Sequence, residues 1–247
     1  MKNLLFFLVI LLAQYDCFGQ KTTSKVPLIK TMAHFFYSRA IKYEFKYNQK
    51  GQVISSTEGH YTVSKQGKWN QLDRIGKTYY KYFEDSIQVF KGKRPDYVML
   101  LNKQKLAYEY RSYKQHADHG VIQRNTFNEQ NYLINRIDYN PYDSTEIRYQ
   151  YSYQFKNGNR TAETMTSYNN GKPDPGTTIC TFYPNTRNTT GNQNFGELFL
   201  GKSSKNLLRG YGKGAAYYRY RFDRKGRVIE RIKIAEPNSR TEYAYYD

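Results

Sequence analysis

The sequence predicts an all-β protein, an antiparallel meander of hairpins that forms one large twisted or curled sheet. Aromatic residues carry most of the apolar content, with 27 Tyr and 14 Phe among 247 residues, and these residue types favour half-buried strands. Several segments alternate apolar and polar residues, which indicates strands with one buried face. Turn residues separate these segments at short intervals, as expected for antiparallel hairpins.

The N-terminal segment has the features of a cleavable export signal. An apolar run fills residues 4–13, and Cys17 and Gly19 are small residues placed as a signal peptidase requires. The run is shorter than the roughly 20 residues of a membrane-spanning helix. We therefore expect residues 1–19 to be removed, leaving 20–247 as a single β-sheet domain without a transmembrane helix. Its expected location is the periplasm, the periphery of the outer membrane or the cell exterior.

The strands are predicted from the period of two. Residues 41–47, 106–111, 147–155 and 216–222 alternate apolar and polar side chains throughout. Helical spacing is rare: residues 28–40 could be read as a short helix and 205–209 as a single turn. A long flexible loop is expected at about 184–214, where Asn, Thr, Gly and Lys are dense.

An internal repeat connects several of these strands. Residues 45–54, 125–134 and 220–229 superpose without gaps as an aromatic residue, Asn or Asp, two polar residues, Gly or Asn, any residue, Val or Leu, and Ile. The Asn or Asp side chain can open a tight turn, and Gly or Asn tolerates the positive φ that such a turn requires. The predicted hairpin-turn residues are Asn48, Gly51, Asn128, Asn131, Asp223 and Gly226.

This unit resembles the YD repeat of the rearrangement-hotspot family of bacterial surface and secreted proteins. The best stretch is Tyr-Arg-Phe-Asp-Arg-Lys-Gly-Arg-Val at 220–228, followed by Tyr-Ala-Tyr-Tyr-Asp at 243–247. The resemblance implies an exported hairpin module, structural or binding in role, without catalytic residues of its own. The three copies are widely spaced, whereas the family repeats in close tandem, so the long spiral shell of such arrays is not expected.

The chain is strongly basic, with a formal net charge of +18. Such a charge attracts polyanions, and the expected partner is lipopolysaccharide, an acidic polysaccharide or another envelope component, not a sequence-specific nucleic acid. The alternative is that these cations form solvated outer strand faces. The candidate polyanion-binding residues are Lys91, Lys93, Arg94, Arg219, Arg221, Arg224, Lys225 and Arg227.

Motifs for catalysis or cofactor binding are weak. Residues 196–203 match the phosphate-loop pattern G-x4-G-K-S, but no hydrophobic strand precedes them, as that motif requires. His116, Asp118 and His119 lie close together in the sequence and could contact a metal ion. A zinc site usually has three or four protein ligands, and no patterned partner residue accompanies these three. We therefore predict no catalytic residue, no metal and no cofactor. Cys180 alone remains after signal cleavage, so the exported chain forms no internal disulfide.

The sequence thus predicts an exported, non-enzymatic, envelope-associated structural or binding module. Two alternatives stay open. One is a glycan-active enzyme, which would need two carboxylates facing one cleft. The other is a small outer-membrane β-barrel, although tyrosines occupy strand centres where lipid-facing residues should be aliphatic.

Overall fold

The computed structural model describes residues 26–64, 69–113, 120–140, 143–169, 171–212 and 216–246. These form a closed barrel of sixteen antiparallel strands. The first eight are β1 (Ile29–Phe36), β2 (Arg39–Tyr47), β3 (Val53–Val63), β4 (Trp69–Tyr82), β5 (Ser86–Lys91), β6 (Arg94–Leu101), β7 (Ala107–Ser112) and β8 (Val121–Phe127). The second eight are β9 (Leu133–Asn140), β10 (Asp143–Lys156), β11 (Asn159–Asn169), β12 (Lys172–Arg187), β13 (Asn206–Tyr211), β14 (Ala216–Phe222), β15 (Val228–Lys233) and β16 (Arg240–Tyr245).

The all-β antiparallel prediction is confirmed, but the open, curled sheet was wrong. Strand β1 pairs with β16, with Met32 opposite Tyr243 and Ala33 opposite Glu242, and this pairing closes the barrel. In the described part of the chain, no helix is long and apolar enough to cross a membrane.

The closing strand is the segment whose sequence pattern is least strand-like. Residues 28–40 could be read as a helix, yet they form β1 and the start of β2. The β1 sequence, Ile-Lys-Thr-Met-Ala-His-Phe-Phe, lacks strict alternation, and a β-bulge between Ile29 and Thr31 shifts its register. Without β1, strand β16 pairs only with β15 and leaves one edge free, so the sheet reads as open. The turn read at 205–209 likewise lies largely in β13.

Neighbouring strands run in opposite directions, so the turns that follow even-numbered strands share one end of the barrel. All three repeat hairpins follow even-numbered strands, namely β2, β8 and β14. The main apolar core lies at the same end, because its members are near the ends of even-numbered strands or the starts of odd-numbered strands. The most deeply buried are Ile29, Val53, Ile87, Val89, Met99, Ala107, Leu207 and Val228.

Candidate functional site

A connecting segment lies across this end of the barrel. Residues 188–205, called the plug below, join β12 to β13 and contain two short 3-10 helices, Asn192–Phe195 and Leu198–Leu200. This stretch falls within the loop expected at 184–214. Its apolar side chains point towards the strands: Phe195 packs edge-on against Phe45 with ring centres 5.3 Å apart.

Backbone hydrogen bonds attach the plug to hairpins distributed around the barrel. Because these hairpins belong to strands far apart in the sheet order, the plug must cross the lumen. Three of these bonds join backbone to backbone: the Val53 amide donates to the Gly196 carbonyl at 3.3 Å, the Lys202 amide to the Asn131 carbonyl at 2.8 Å, and the Lys205 amide to the Gly158 carbonyl at 2.8 Å. In a fourth, the Val228 amide donates to the side-chain Oγ1 of Thr189 at 2.9 Å.

Two glycines of the plug explain the formal phosphate-loop match. Gly196 and Gly201 have φ values of +67° and +79° and lie directly against the backbone of the Gly51 and Asn131 turns. Side chains at either position would collide with those turns. The glycine spacing at 196–201 therefore matches the contacts between the plug and two repeat hairpins, and the segment is not a strand-loop-helix phosphate site.

A cavity of about 460 Å³ lies beneath the plug, inside the barrel. Five of its twelve lining residues are Tyr or Phe, and six others have polar or charged side chains. It is lined by residues that include Tyr43, Phe45, Tyr80, Phe195, Tyr243, His34, Ser56, Glu197 and Arg231. A second cavity of about 290 Å³ touches the plug near Leu200 and Lys202, with Tyr153 and Arg160 on the facing strands.

Glu197 is the acidic group of the larger cavity. No side chain in the described ranges forms a hydrogen bond or ion pair with its carboxylate. Burial raises the pKa of Glu197 to about 7, since a charged carboxylate is costly away from water. Burial also raises the pKa of Tyr97 to about 12, and the Glu197 charge adds to that shift. The carboxylate therefore lies among phenol rings.

His34 and Arg231 form the basic part of the same cavity. Both contact the hydroxyl of Thr241: His34 Nδ1 lies 2.9 Å from Oγ1, and Arg231 donates to it at 3.3 Å. Arg231 also stacks over Tyr218, 5.2 Å from the ring centre. Burial lowers the pKa of His34, and the nearby Arg231 charge lowers it further. His34 is therefore neutral at pH 7.

Ion pairs lie on the outward face of the barrel, beside exposed apolar residues such as Ile75 and Tyr217. Successive strand residues point to opposite faces, so the neighbours of the cavity-lining Tyr43, Arg231 and Tyr243 point outward. These neighbours form ion pairs over the wall: Lys42 with Glu44 at 2.7 Å, Arg221 with Glu230 at 3.2 Å and Arg240 with Glu242 at 2.9 Å. Further round the barrel, the buried Glu109 lies between Arg111 and Arg124 at 2.6 and 2.9 Å.

The eight candidate polyanion residues do not come together. Lys91, Lys93 and Arg94 lie at the turn between β5 and β6, at the end opposite the plug. Arg224, Lys225 and Arg227 lie in the hairpin after β14, at the plugged end, while Arg219 and Arg221 lie on β14. Several of them are paired with acids, for example Lys91 with Asp96 at 3.0 Å, Arg221 with Glu230, and Arg227 with Asp223 at 2.6 Å.

The repeat turns share one hydrogen-bond pattern. Asn48 Oδ1 accepts from the amides of Lys50 and Gln52 at 3.0 Å, and Asp223 Oδ1 accepts from Lys225 and Arg227 at 2.9 Å. Asn128 Oδ1 likewise accepts from the Tyr132 amide at 2.9 Å. The residues three positions on have positive φ: +73° at Gly51, +67° at Asn131 and +71° at Gly226.

A fourth hairpin of this type was missed. Asn102 Oδ1 accepts from the amides of Gln104 and Leu106 at 3.0 and 2.9 Å, and Lys105 has a φ of +61°. Lysine at the left-handed position, and leucine where the other copies have an aromatic residue, hide this copy. The remaining signal is Asn102, followed five positions later by Ala107, where the other copies have Val or Leu.

Some predictions fall outside the described residues: the signal peptide at 1–19, with Cys17, and the group His116, Asp118 and His119. Across the described ranges, no cluster of three or more His, Cys, Asp or Glu side chains could hold a metal ion. Cys180 is a buried free thiol.

No protein-family model and no curated protein matches the chain. Two solved structures resemble it. A porin-like protein from Bacteroides uniformis has a TM-score of 0.67 and 11% identity, covering 88% of this chain and 98% of that one. A porin-like protein from Bacteroides vulgatus has a TM-score of 0.43 and 12% identity, covering 89% and 99%. The first likeness shows that the chain has a porin-like β-barrel fold, which fits the outer-membrane alternative better than an open hairpin module.

Proposed function

We propose that this chain is an exported, envelope-associated barrel whose wall stands in water and whose lumen binds a small ligand without transforming it. The observation that carries the proposal is the set of ion pairs on the outward face of β2 and β14–β16, with tyrosines on the inward face. A membrane-embedded barrel has the opposite arrangement, with an apolar outer band and a polar lumen.

The energetic cost supports a wall in water. An Arg or Lys that faces lipid at the bilayer midplane costs roughly 2–4 kcal/mol. Cations lie on the outward side of strands around the barrel: Lys42, Arg111, Arg124, Arg221 and Arg240. Exposure to lipid at midplane depth would therefore be unfavourable for each of these cations.

The plug supports a binding role over passage. Its glycines lie against the barrel backbone, and its amides and carbonyls are bonded to hairpins around the rim. Such an arrangement covers the cavity on the side of the plug. A concave pocket of a few hundred Å³ that combines aromatic and polar side chains is typical of small-molecule sites.

A second candidate function is a small outer-membrane pore. The closed sixteen-strand topology favours it, as does the likeness to a porin-like protein. In that case the charged outer face would have to contact headgroups or a partner protein.

Cell fractionation separates the two. The full-length chain is expressed with its leader in a Gram-negative host, and osmotic-shock, alkaline-wash and detergent fractions are compared, with an endogenous outer-membrane barrel as the internal standard. We expect the protein in the shock or alkaline fraction. Recovery in detergent alone, together with the standard, would overturn the proposal.

A further inference from the structure

The larger luminal cavity combines an aromatic wall with one carboxylate that lacks a partner. Its rings come from four parts of the fold: Tyr43 and Phe45 on β2, Tyr80 on β4, Phe195 on the plug and Tyr243 on β16. The face of an aromatic ring carries partial negative charge and attracts cations. The Glu197 carboxyl adds a negative charge whenever it is ionised, and a bound cation favours that ionised form.

Glu197 is held at this place by the plug backbone. It lies between the two 3-10 helices, and its amide and carbonyl are placed by the turns that dock Gly196 and Gly201: the Glu197 amide donates to the Asn192 carbonyl at 2.9 Å. Within the described ranges its carboxylate forms no hydrogen bond or ion pair. A buried carboxylate without a partner is unfavourable, and a bound cation would relieve that cost.

The basic groups of the cavity lie at a different part of its wall. Arg231 contacts Thr241 and Tyr218, and no acid in the described ranges pairs with it. Its charge affects His34 but is not a cause of the Glu197 shift. The cavity therefore offers one negative and one positive site that do not neutralise each other.

We propose that this cavity binds a small zwitterion, with its ammonium group at Glu197 among the aromatic rings and its anionic group at Arg231. The inference rests on the proposed luminal binding role. A plain cation would be repelled by Arg231, and a plain anion by Glu197. A zwitterion satisfies both sites, so each charged end should contribute to affinity.

Glycine betaine, choline and trimethylacetate form a matched probe set. Betaine carries both charges, choline the trimethylammonium alone and trimethylacetate the carboxylate alone. By calorimetry at pH 7 on the exported protein, we expect betaine to bind about tenfold or more tightly than either single-charge probe. Glu197→Gln and Arg231→Gln should each weaken betaine binding by about tenfold. Glu44→Gln, the same change on the outer wall, should leave it unaltered.

Proton release gives a second readout. The groups around Glu197 and in the cavity are Tyr47, Tyr80, Tyr82, Tyr97, Tyr110, Tyr43, Tyr243, His34 and Arg231. The tyrosines are neutral at pH 7 because burial raises their pKa. With the pKa of Glu197 at about 7, a bound ammonium lowers it and releases protons. Choline brings no carboxylate to His34, so the protons released when choline binds come from Glu197 alone. Calorimetry in buffers of different ionisation enthalpy measures this release, and Glu197→Gln should abolish it.

The outcomes are distinct from those of fractionation. A water-soluble protein that binds none of the probes, or binds betaine equally well as Glu197→Gln, overturns the zwitterion inference and leaves the proposed placement standing. Betaine binding by a protein that only detergent extracts overturns the placement and keeps the inference. Circular dichroism of each variant confirms that a loss of binding is not a loss of fold.

Discussion

Gly196 of the plug rests on the carbonyl of Gly51 in the first repeat hairpin. A Cβ added to Gly196 would lie 2.6 Å from the Gly51 oxygen and 2.7 Å from the Val53 nitrogen, far closer than van der Waals contact. These atoms are backbone and already part of a tight turn, so they cannot move aside cheaply. The contact therefore links the closure of the lumen to the conformation of a repeat hairpin.

Gly196→Ala should destabilise the protein strongly. Alanine must adopt a φ of +67°, which costs an L-residue roughly 1–2 kcal/mol, and must displace backbone, which costs about 1–3 kcal/mol. Urea denaturation measures the sum. Gly226→Ala is the matched control, because its φ is +71° and nothing lies within 4 Å of the added Cβ; it should lose only about 1 kcal/mol. Equal losses in the two variants would contradict the docking of the plug on Gly51.

Lys105→Gly should stabilise the protein. The fourth hairpin holds lysine at a φ of +61°, which costs an L-residue roughly 1–2 kcal/mol. Glycine removes this strain but adds entropy to the unfolded chain, worth about 0.4–1 kcal/mol. Glycine also removes the exposed hydrogen bond from Lys105 Nζ to the Glu84 carbonyl at 2.7 Å, so the expected net gain is about 0.5 kcal/mol, measured as a higher urea midpoint. Lys103→Gly, in the same turn without positive φ, removes the same charge and should stabilise nothing.

The Asp223 turn should make stability depend on pH. Partial burial would raise the pKa of Asp223, but hydrogen bonds from the Arg227 amide and guanidinium and from the Lys225 amide hold the pKa below its usual value. A carboxylate with a lowered folded pKa stabilises the fold above its unfolded pKa, near 4, and loses that contribution as pH falls through the folded value.

Asp223→Asn keeps the acceptor oxygen and removes the charge. We expect it to be less stable than the original at pH 7, with the difference shrinking below about pH 4. Asn48→Asp places a carboxylate at the equivalent position of the first hairpin, where Gln52 stands in place of Arg227. It should introduce a pH dependence of the same sign but smaller size. Thermal melts from pH 3 to pH 7 test both; a constant difference between Asp223→Asn and the original would argue against the linkage.

Local patterns predicted the parts of the fold that depend on neighbours in sequence. Alternation identified strands at 41–47, 147–155 and 216–222, because a half-buried strand must alternate. Closure escaped prediction because it depends on a pairing between β1 and β16, more than 200 residues apart, and β1 contains a bulge. Nothing local to either strand encodes that partner.

The plug and the cavity escaped for a related reason. Residues 184–214 are polar on average, which is typical of a loop, and the apolar cluster within them is short: Phe195, Leu198, Phe199 and Leu200. Phe199 is only 6% exposed, since it packs against rings such as Tyr80 from a distant strand. An aromatic and aliphatic cluster between glycines in an otherwise polar loop is the signal that could have indicated a docked segment. Glu197 lies inside that cluster.

The Cys180 thiol should report on opening of the barrel wall. Burial raises the pKa of Cys180, and only 7% of the residue is exposed, so little thiolate is present and reagent cannot reach it. In the chain beginning at Gln20, Cys180 is the one cysteine. Labelling with a thiol reagent at pH 8 should be on the order of 100-fold slower in the folded state than in denaturant, because it requires local opening.

In a Cys180→Ser background, Thr181→Cys puts the thiol on the next, exposed position and should label rapidly. Fast labelling of Cys180 itself would mean that β12 separates readily from its neighbours, and a lumen enclosed by that strand would then exchange freely with solvent.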